Sequence, residues 1–423
     1  MAIYELCDDV IIKIINMIKN DREKIKFMIT CSKFYSFRED IYYTNNYEYD
    51  FVLDHKLLKF KNITFRFDTK IHSKYSIPKG TTKIIFDNFF NDNLKDYLFE
   101  GIKYIEFGYA FNQPIQNCIP DTVKYLIFGY KFNQDISGCL PNNLKHLVFR
   151  ENFNQEVIGN IPNGVTYLEF GCNFNKSING AIPKTIKTLK FGTKFNQTIT
   201  HCIPRGVKHL YFGSDFNKNI AFSLPNTITH LRFGNFFNQS LKYSIPESVT
   251  HLYFDKGSIF NNNIRGCLPK GLKHVTFGEH FNKSIEDALP NGLKSIIFGS
   301  LFNQPIKKII TQRRKNMFMK NKNSVKKFIP DSVEYIKFGY TFNQNINKAL
   351  PINIKQIYLG YCFNQETNNS FPVSLQYLSI GKLYNKKLKK SIPNNLQQLT
   401  IHQELYNKNI KHIPENIIVK IVS

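Results

Sequence analysis

The chain has 423 residues, with 57 Lys and Arg against 32 Asp and Glu for a formal charge of +25, and no Trp. That length would ordinarily suggest two or three globular domains, a prior that a repeat array overrides. The positive excess is mostly Lys in a chain rich in Asn, Ile, Phe and Tyr, which is how an A/T-rich coding sequence reads; with Arg scarce, nucleic acid is not the expected partner.

Residues 1–45 are out of phase with everything after them. Asp8 or Asp9 can cap a helix whose apolar positions Val10, Ile11, Ile14, Ile15 and Ile18 follow the 3,4 spacing of one face. A second periodic patch holds Ile25, Met28 and Ile29, followed by Cys31-Ser32-Lys33-Phe34-Tyr35. Two or three such helices are too small to stand alone and can serve as an N-terminal cap. The order Leu6-Cys7-Asp8-Asp9-Val10-Ile11, Ile14-Ile15, Ile18 and then Cys31 to Tyr35 also resembles the F-box. That resemblance implies docking onto the Skp-type adaptor of a cullin-RING ubiquitin ligase through Leu6, Val10, Ile11, Ile14, Ile15 and Ile18. Capping and docking both remain open at this point.

Residues 46–77 read as an N-terminal cap and degenerate first turn, with Phe60, Ile63 and Phe65 in the later phase. From Pro78 to residue 413 the chain repeats. Proline recurs every 21 residues from Pro120 through Pro141, Pro162, Pro183, Pro204 and Pro225 to Pro246, and again from Pro330 to Pro414. A representative turn, Pro183 to Ile203, places apolar residues at Ile186, Leu189, Phe191, Phe195, Ile199 and Ile203. Leu189 and Phe191 alternate with polar neighbours, the period of a short strand. The glycine column that follows, Gly108, Gly129, Gly171, Gly213 and onward, is expected to leave the strand through a positive-φ bend. Next comes Phe-Asn, from Phe111-Asn112 to Phe363-Asn364, expected to stack as an aromatic spine beside a ladder of buried asparagines at a dry corner. Sequons such as Asn175-Lys176-Ser177 and Asn238-Gln239-Ser240 fall on that column, so glycans are not expected there.

The fold expected is mainly β: a leucine-rich-repeat-like parallel β-solenoid of about sixteen turns, since one turn cannot bury its own core and stability must come from neighbours. The pattern Leu-Pro-x-x-Leu-Lys-x-Leu-x-Phe-Gly-x-x-Phe-Asn-Gln-x-Ile resembles the FNIP repeat, a unit found chiefly in social amoebae and the giant DNA viruses that infect amoebae. The resemblance implies a protein-interaction solenoid without enzymatic activity.

Two interruptions stand out. The step to Pro269 is 23 residues, and the step from Pro290 to Pro330 is 40. The longer one is the basic insertion 307–328, with Lys307, Lys308, Arg313, Arg314, Lys315, Lys320, Lys322, Lys326 and Lys327 and no acid. It reads as a solvated mobile loop, or as a nuclear-import or acidic-partner segment. After it the spacing slips near Leu405-Tyr406-Asn407, and 414–423 reads as a C-terminal cap.

Outward strand positions are where such a solenoid meets a partner. One column includes Tyr104, Tyr125, His146, Tyr167, His209, His230, His251 and His274, and its neighbour includes Tyr211, Arg232 and Tyr253. Tyr and Arg suit a recognition surface, while cross-strand pairing alone would also account for rings on strands. The stacked imidazoles lie along a ladder and do not converge, so no metal is expected, and no phosphate loop, His-Glu-x-x-His or Cys-x-x-Cys predicts a cofactor or catalytic residue. Cys118, Cys139, Cys202 and Cys267 share a small-residue column and are expected as free thiols. No apolar run reaches membrane-spanning length and Met1 to Asp9 is unlike a signal peptide, so a cytoplasmic location is expected, in the host if the chain is viral, with the nucleus as the alternative. The functions this supports are a substrate receptor of a cullin-type ubiquitin ligase, monomeric outside the ligase, or a binding scaffold with no ubiquitin link.

Overall fold

The computed structural model describes residues 6–73, 76–312, 322–388 and 391–422. The chain divides into two compact units, Met1–Lys176 and Ser177–Ser423.

The first unit opens with helices α1 (Asp8–Met17), α2 (Asp21–Met28) and α3 (Ser32–Ser36). The coil then begins with β1 (Tyr42–Glu48), a short helix α4 (Tyr49–Asp54), β2 (Lys59–Phe67) and β3 (Thr81–Phe86). It continues as three-residue strands β4 (Tyr104–Glu106), β5 (Tyr125–Ile127), β6 (His146–Val148) and β7 (Tyr167–Glu169). Each strand pairs in parallel with the next, beginning with β1 on β2, so the coil starts upstream of the 45/46 boundary read from sequence.

In the second unit the same rung recurs as β8 (Thr188–Lys190), β9 (His209–Tyr211), β10 (His230–Phe233), β11 (His251–Phe254), β12 (His274–Thr276) and β13 (Ser295–Ile297). After an inserted hairpin, β14 (Lys307–Gln312) and β15 (Lys322–Lys327), it resumes as β16 (Tyr335–Lys337), β17 (Gln356–Tyr358), β18 (Tyr377–Ser379) and β19 (Gln398–His402). Helix α5 (Gln403–Asn409) and a further strand, β20 (Ile418–Val422), which pairs with β19, complete the unit. Residues 414–422 therefore continue the parallel pairing. This is the parallel β-solenoid expected from the period.

Each rung has one construction. The middle strand residue points inward and is buried, as with Leu126, Leu210 and Leu252. The phenylalanine at the end of the strand and the one four residues later lie close in their own turn, Phe149 and Phe153 at 3.8 Å by ring centroid, and in the turn with two extra residues Phe254 and Phe260, six apart, still meet at 4.3 Å. Each also stacks on its counterpart in the next turn, Phe111 on Phe132 at 5.9 Å and Phe216 on Phe237 at 6.1 Å, so two aromatic ladders fill the coil. At the proline corner the proline carbonyl accepts the N–H of the residue three on, Val123 to Pro120 at 3.1 Å, closing a tight turn.

Three expectations are corrected. First, the glycine column does not supply positive φ. A Cβ on Gly213 would sit 1.9 Å from the Gly192 carbonyl oxygen, and one on Gly299 1.8 Å from that of Gly278, so glycine is needed because successive backbones touch there. The left-handed position lies three residues before the proline, where Gly138, Gly159 and Gly180 alternate with Asn117, His201, Phe222 and Tyr243. Second, the asparagine ladder exists but its corner is not dry. Asn133 donates its N–H to Asn112 Oδ1 at 2.9 Å and Asn217 to Asn196 Oδ1 at 3.0 Å, yet Asn112, Asn196 and Asn217 are half-buried and Asn175 and Asn238 exposed. The steric argument against glycans on that column therefore falls.

Third, the basic insertion is no structureless loop. Lys307 pairs with Lys327 and Ile309 with Val325 in the antiparallel hairpin. Lys326 Nζ reaches Asp287 at 2.7 Å, and Lys307 Nζ donates to Asn345 Oδ1 at 2.8 Å, tying the hairpin base to the rungs on either side. Arg313, Arg314, Lys315 and Lys320 lie outside the described residues. All eight cysteines are free thiols. Among the described residues no helix is long and apolar enough to cross a membrane.

Candidate functional sites: an exposed helix face and a ringed sheet

In α1 the isoleucines occupy two faces. Ile11 and Ile15 are 0% exposed and pack with Met28, Phe34, Phe37, Ile41 and Tyr43, with Leu6 half-buried against the same core. They hold the module together and present nothing to a partner, which corrects their placement in the docking set. Val10 is exposed, Ile14 and Ile18 are half-buried, and Met17 is 79% exposed. Positions 10, 14 and 17 share one helix face and Ile18 follows at the C-cap in extended backbone, so α1 shows an apolar stripe to solvent beside its buried one.

Beneath α2 lies a polar junction that the sequence reading missed. Asp21 and Lys24 are 1% and 0% exposed and form an ion pair at 3.1 Å. Asp21 also accepts the N–H groups of Thr44 and Asn45, each at 2.7 Å to Oδ2, and the Tyr47 hydroxyl at 3.0 Å. Lys24 Nζ donates to the Tyr42 carbonyl. Burial alone would raise the Asp21 carboxyl pKa, but these donors outweigh it and hold the group below its usual range. Every partner outside α2 belongs to β1, so the junction fastens the helices to the first rung of the coil.

On the sheet, the ring column forms short stacks. In the first unit Tyr104, Tyr125, His146 and Tyr167 stack successively, with centroids at 6.0, 5.6 and 4.0 Å. Tyr125 is exposed and the other three are half-buried. The Tyr104 hydroxyl donates to Glu106, which Arg150 also holds at 3.0 Å, and the Tyr167 hydroxyl donates to Glu169. In the second unit His209, His230, His251 and His274 stack at 4.5, 4.1 and 4.5 Å, all half-buried. Beside them lie half-buried Tyr211 and Tyr253 and exposed Arg232, which pairs with Asp255. The side chains of this face thus lean on one another along the ladder, as the pairing reading expects, and Tyr125 and Arg232 are its exposed members among those named. Among the described residues no group of three or more His, Cys, Asp or Glu could hold a metal ion.

Burial, and then the neighbouring imidazoles, push His251 down to about 4; His230 and His274 are lowered as well. A histidine whose folded pKa lies below its unfolded value of about 6.5 stabilises the fold above that value, and the contribution is lost as pH falls through 6.5 towards the folded pKa. Taking the protein from pH 7 to pH 4 should therefore lower amide-exchange protection in β9–β12 more than in β4–β7, which carries one imidazole, His146. His251→Gln should flatten the difference. Equal loss in the two strand sets would show that the stack carries no linkage of its own.

Comparison with known proteins follows the same lines. The family model described as FNIP Repeat matches residues 90–131, 132–173, 153–194, 195–236, 237–280, 281–310, 321–362, 342–383 and 363–404. Two proteins of Acanthamoeba polyphaga mimivirus, named "Putative F-box protein L168" and "Putative F-box protein L166", are 36% and 33% identical over 107 and 105 residues. Each match takes in 25% of this chain, and the chain spans only 49% and 39% of those relatives' lengths. Among solved structures, CroV588, described as a circular LRR protein, is 29% identical with a TM-score of 0.57, over 86% of this chain and 64% of that one.

Proposed function

Because this chain belongs to the FNIP-repeat family, we propose that it is the substrate-recognition subunit of a cullin-RING, SCF-type ubiquitin ligase. In this reading the N-terminal module docks a Skp-type adaptor that links it to the cullin, and the outer strand face of the solenoid holds a target protein. The observation that carries the first half is the solvent-facing stripe of Val10, Ile14, Met17 and Ile18, apolar surface that a helix serving only as a cap would have no reason to keep. The F-box names of the mimiviral relatives support the same half. The ringed sheet, with Tyr211, Arg232 and Tyr253 outward, supports the second.

A second reading is favoured by the junction of Asp21 and Lys24 with β1. A module bonded so firmly to the first rung also works as a cap, and the chain would then be a binding scaffold without a ubiquitin link. The double substitution Ile14→Lys with Ile18→Lys separates the two. Tagged protein from an amoebal extract should carry a Skp-type adaptor and cullin, and the double variant should lose both while its circular dichroism is unchanged, since both positions are only half-buried. Adaptor recovery that survives the substitutions, or is absent from the unaltered protein, leaves the scaffold reading.

A further inference from the structure

A cavity of about 520 Å³ lies where the helices meet the start of the coil. It is lined by Met28 of α2, Tyr43 and Tyr47 of β1, Phe51 of α4, and Leu58 and Phe60 at β2. That volume falls in the range of small-molecule sites, as does a lining that is apolar with a few polar groups. The rings form one wall without any ligand: Tyr47 meets Phe60 at 4.6 Å and Phe51 at 5.5 Å, and Tyr43 meets Phe60 at 5.6 Å. Helix α4 buries none of its own residues, and Phe51 and Leu57 at this cavity are 43% and 72% exposed. Apolar side chains kept at the mouth of a cavity, where they cover little of the protein, are placed to cover something else.

A polar group independently marks the same place. Tyr43 is 5% exposed, and its hydroxyl has no hydrogen-bond partner among the described residues. Among those residues Thr81 Oγ1 is the one sealed-off side-chain polar atom without a partner, so the Tyr43 hydroxyl is not sealed off and opens to the cavity its ring lines. The Tyr47 hydroxyl, by contrast, is bonded to Asp21. Burial, then Asp21 and Tyr35, raise the Tyr43 phenol pKa while Arg38 opposes them, so the guanidinium stands within electrostatic reach of it. Arg38 lies over the Tyr35 ring at 5.1 Å and bonds Glu39 at 3.1 Å, which leaves most of its N–H donors unused. Around the mouth the charges balance, Arg38 and Lys56 against Glu39 and Asp54.

We propose that this cavity binds an uncharged small molecule with an apolar, ring-sized body and a carbonyl or amide head. The body packs on Tyr47, Phe51 and Phe60, and the head accepts hydrogen bonds from the Tyr43 hydroxyl and Arg38. An ion would lose hydration against the ring wall and find no net charge to repay it. None of Val10, Ile14, Met17 and Ile18 lines the cavity, so the site is separate from the stripe read as the adaptor face. A bound molecule touches α2, α4, β1 and β2 together and braces the helices against the first rung.

The test is calorimetric titration of the full chain with naphthamide, and with naphthoate and naphthylmethylammonium as charged analogues of the same body. Naphthamide should bind saturably and more tightly than either ion. Tyr43→Phe keeps the ring and breaks no bond within the protein. It should weaken naphthamide about five- to tenfold and leave amide exchange of the free chain unchanged. Phe51→Ala, at an exposed position, should weaken it by about tenfold. Bound naphthamide should raise amide-exchange protection in α4 and β1 and leave β5–β7 as they were. The proposal is overturned by the absence of saturable binding, by tighter binding of either ion, or by binding that both variants leave unchanged. Loss of protection in the free Tyr43→Phe chain would also overturn it, since the hydroxyl would then be bonded within the protein. Adaptor recovery is read separately and depends on none of these outcomes.

Discussion

Phe237→Ala should cost about 3–5 kcal/mol, the largest effect expected of any single substitution in the coil. Phe237 is fully buried and touches four rings: Phe233 at 4.0 Å within its turn, and Phe216, Phe260 and Phe254 at 6.1, 6.3 and 6.5 Å in the turns beside it. Truncation leaves a cavity in the aromatic ladder that cannot close, because the backbones above and below are held apart by their own rungs. Since each turn depends on its neighbours, the loss should appear as reduced amide-exchange protection centred on β9–β12 and fading with distance in sequence. Phe237→Leu should show a weaker version of the same pattern. A long array need not melt in one step, so a single melting temperature would blur this result. Undiminished protection at β10 would mean that the ladder is not what holds the turns together.

Asp21→Ala should be nearly as damaging, at about 3–5 kcal/mol, but confined to the other end of the chain. It strands the Lys24 ammonium in a fully buried site and leaves the N–H groups of Thr44 and Asn45 without their acceptor. The expected readout is loss of protection in α1 and α2 with β4–β7 unaffected. Asp21→Leu combined with Lys24→Met, which removes both charges and keeps the volume, should recover much of the loss, because an apolar pair does not leave a buried charge behind. If the double variant is as unstable as Asp21→Ala, the network matters for its backbone acceptors more than for its ion pair. Acid should act in the same direction: with its pKa held low in the fold, Asp21 contributes stability above the unfolded carboxylate pKa and loses it as pH falls through the lower folded value.

What was legible from sequence was whatever repeated in a column with one physical role. Leu189, Phe191 and Phe195 could be placed inside because their counterparts in turn after turn are apolar, and the structure buries all three. The reason for a column was harder to read than its existence. Gly213 and its counterparts could mark either a positive-φ bend or a close approach, and the second holds. The real positive-φ position was hidden because Asn117, Gly138, His201 and Phe222 have no chemistry in common. In α1, isoleucines at 11 and 15 and apolar residues at 10, 14 and 17 fill both faces of the helix, so periodicity alone could not say which face is covered. Asp21 and Lys24 look like ordinary surface residues until β1 is folded over them. In the basic insertion, the lysines masked a strand pair whose apolar members are Ile309, Ile310 and Val325.

The uniformity of the rung also bears on how such a chain changes length. From Asn91 to Asn154 and from Asn196 to Asn364 each asparagine of the ladder receives the same N–H from the turn after it, whether that turn follows directly, as Asn217 on Asn196, or after a detour through the hairpin, as Asn343 on Asn303 at 2.9 Å. The hairpin enters and leaves beyond the Phe-Asn step, so Gly339 still nests on the Gly299 carbonyl as if nothing had intervened. A turn is therefore an interchangeable part with identical fittings above and below. Unequal recombination between its copies in the gene would add or remove whole rungs while leaving every joint intact, and lineages that gained or lost rungs would differ in the extent of surface on offer while sharing one way of folding.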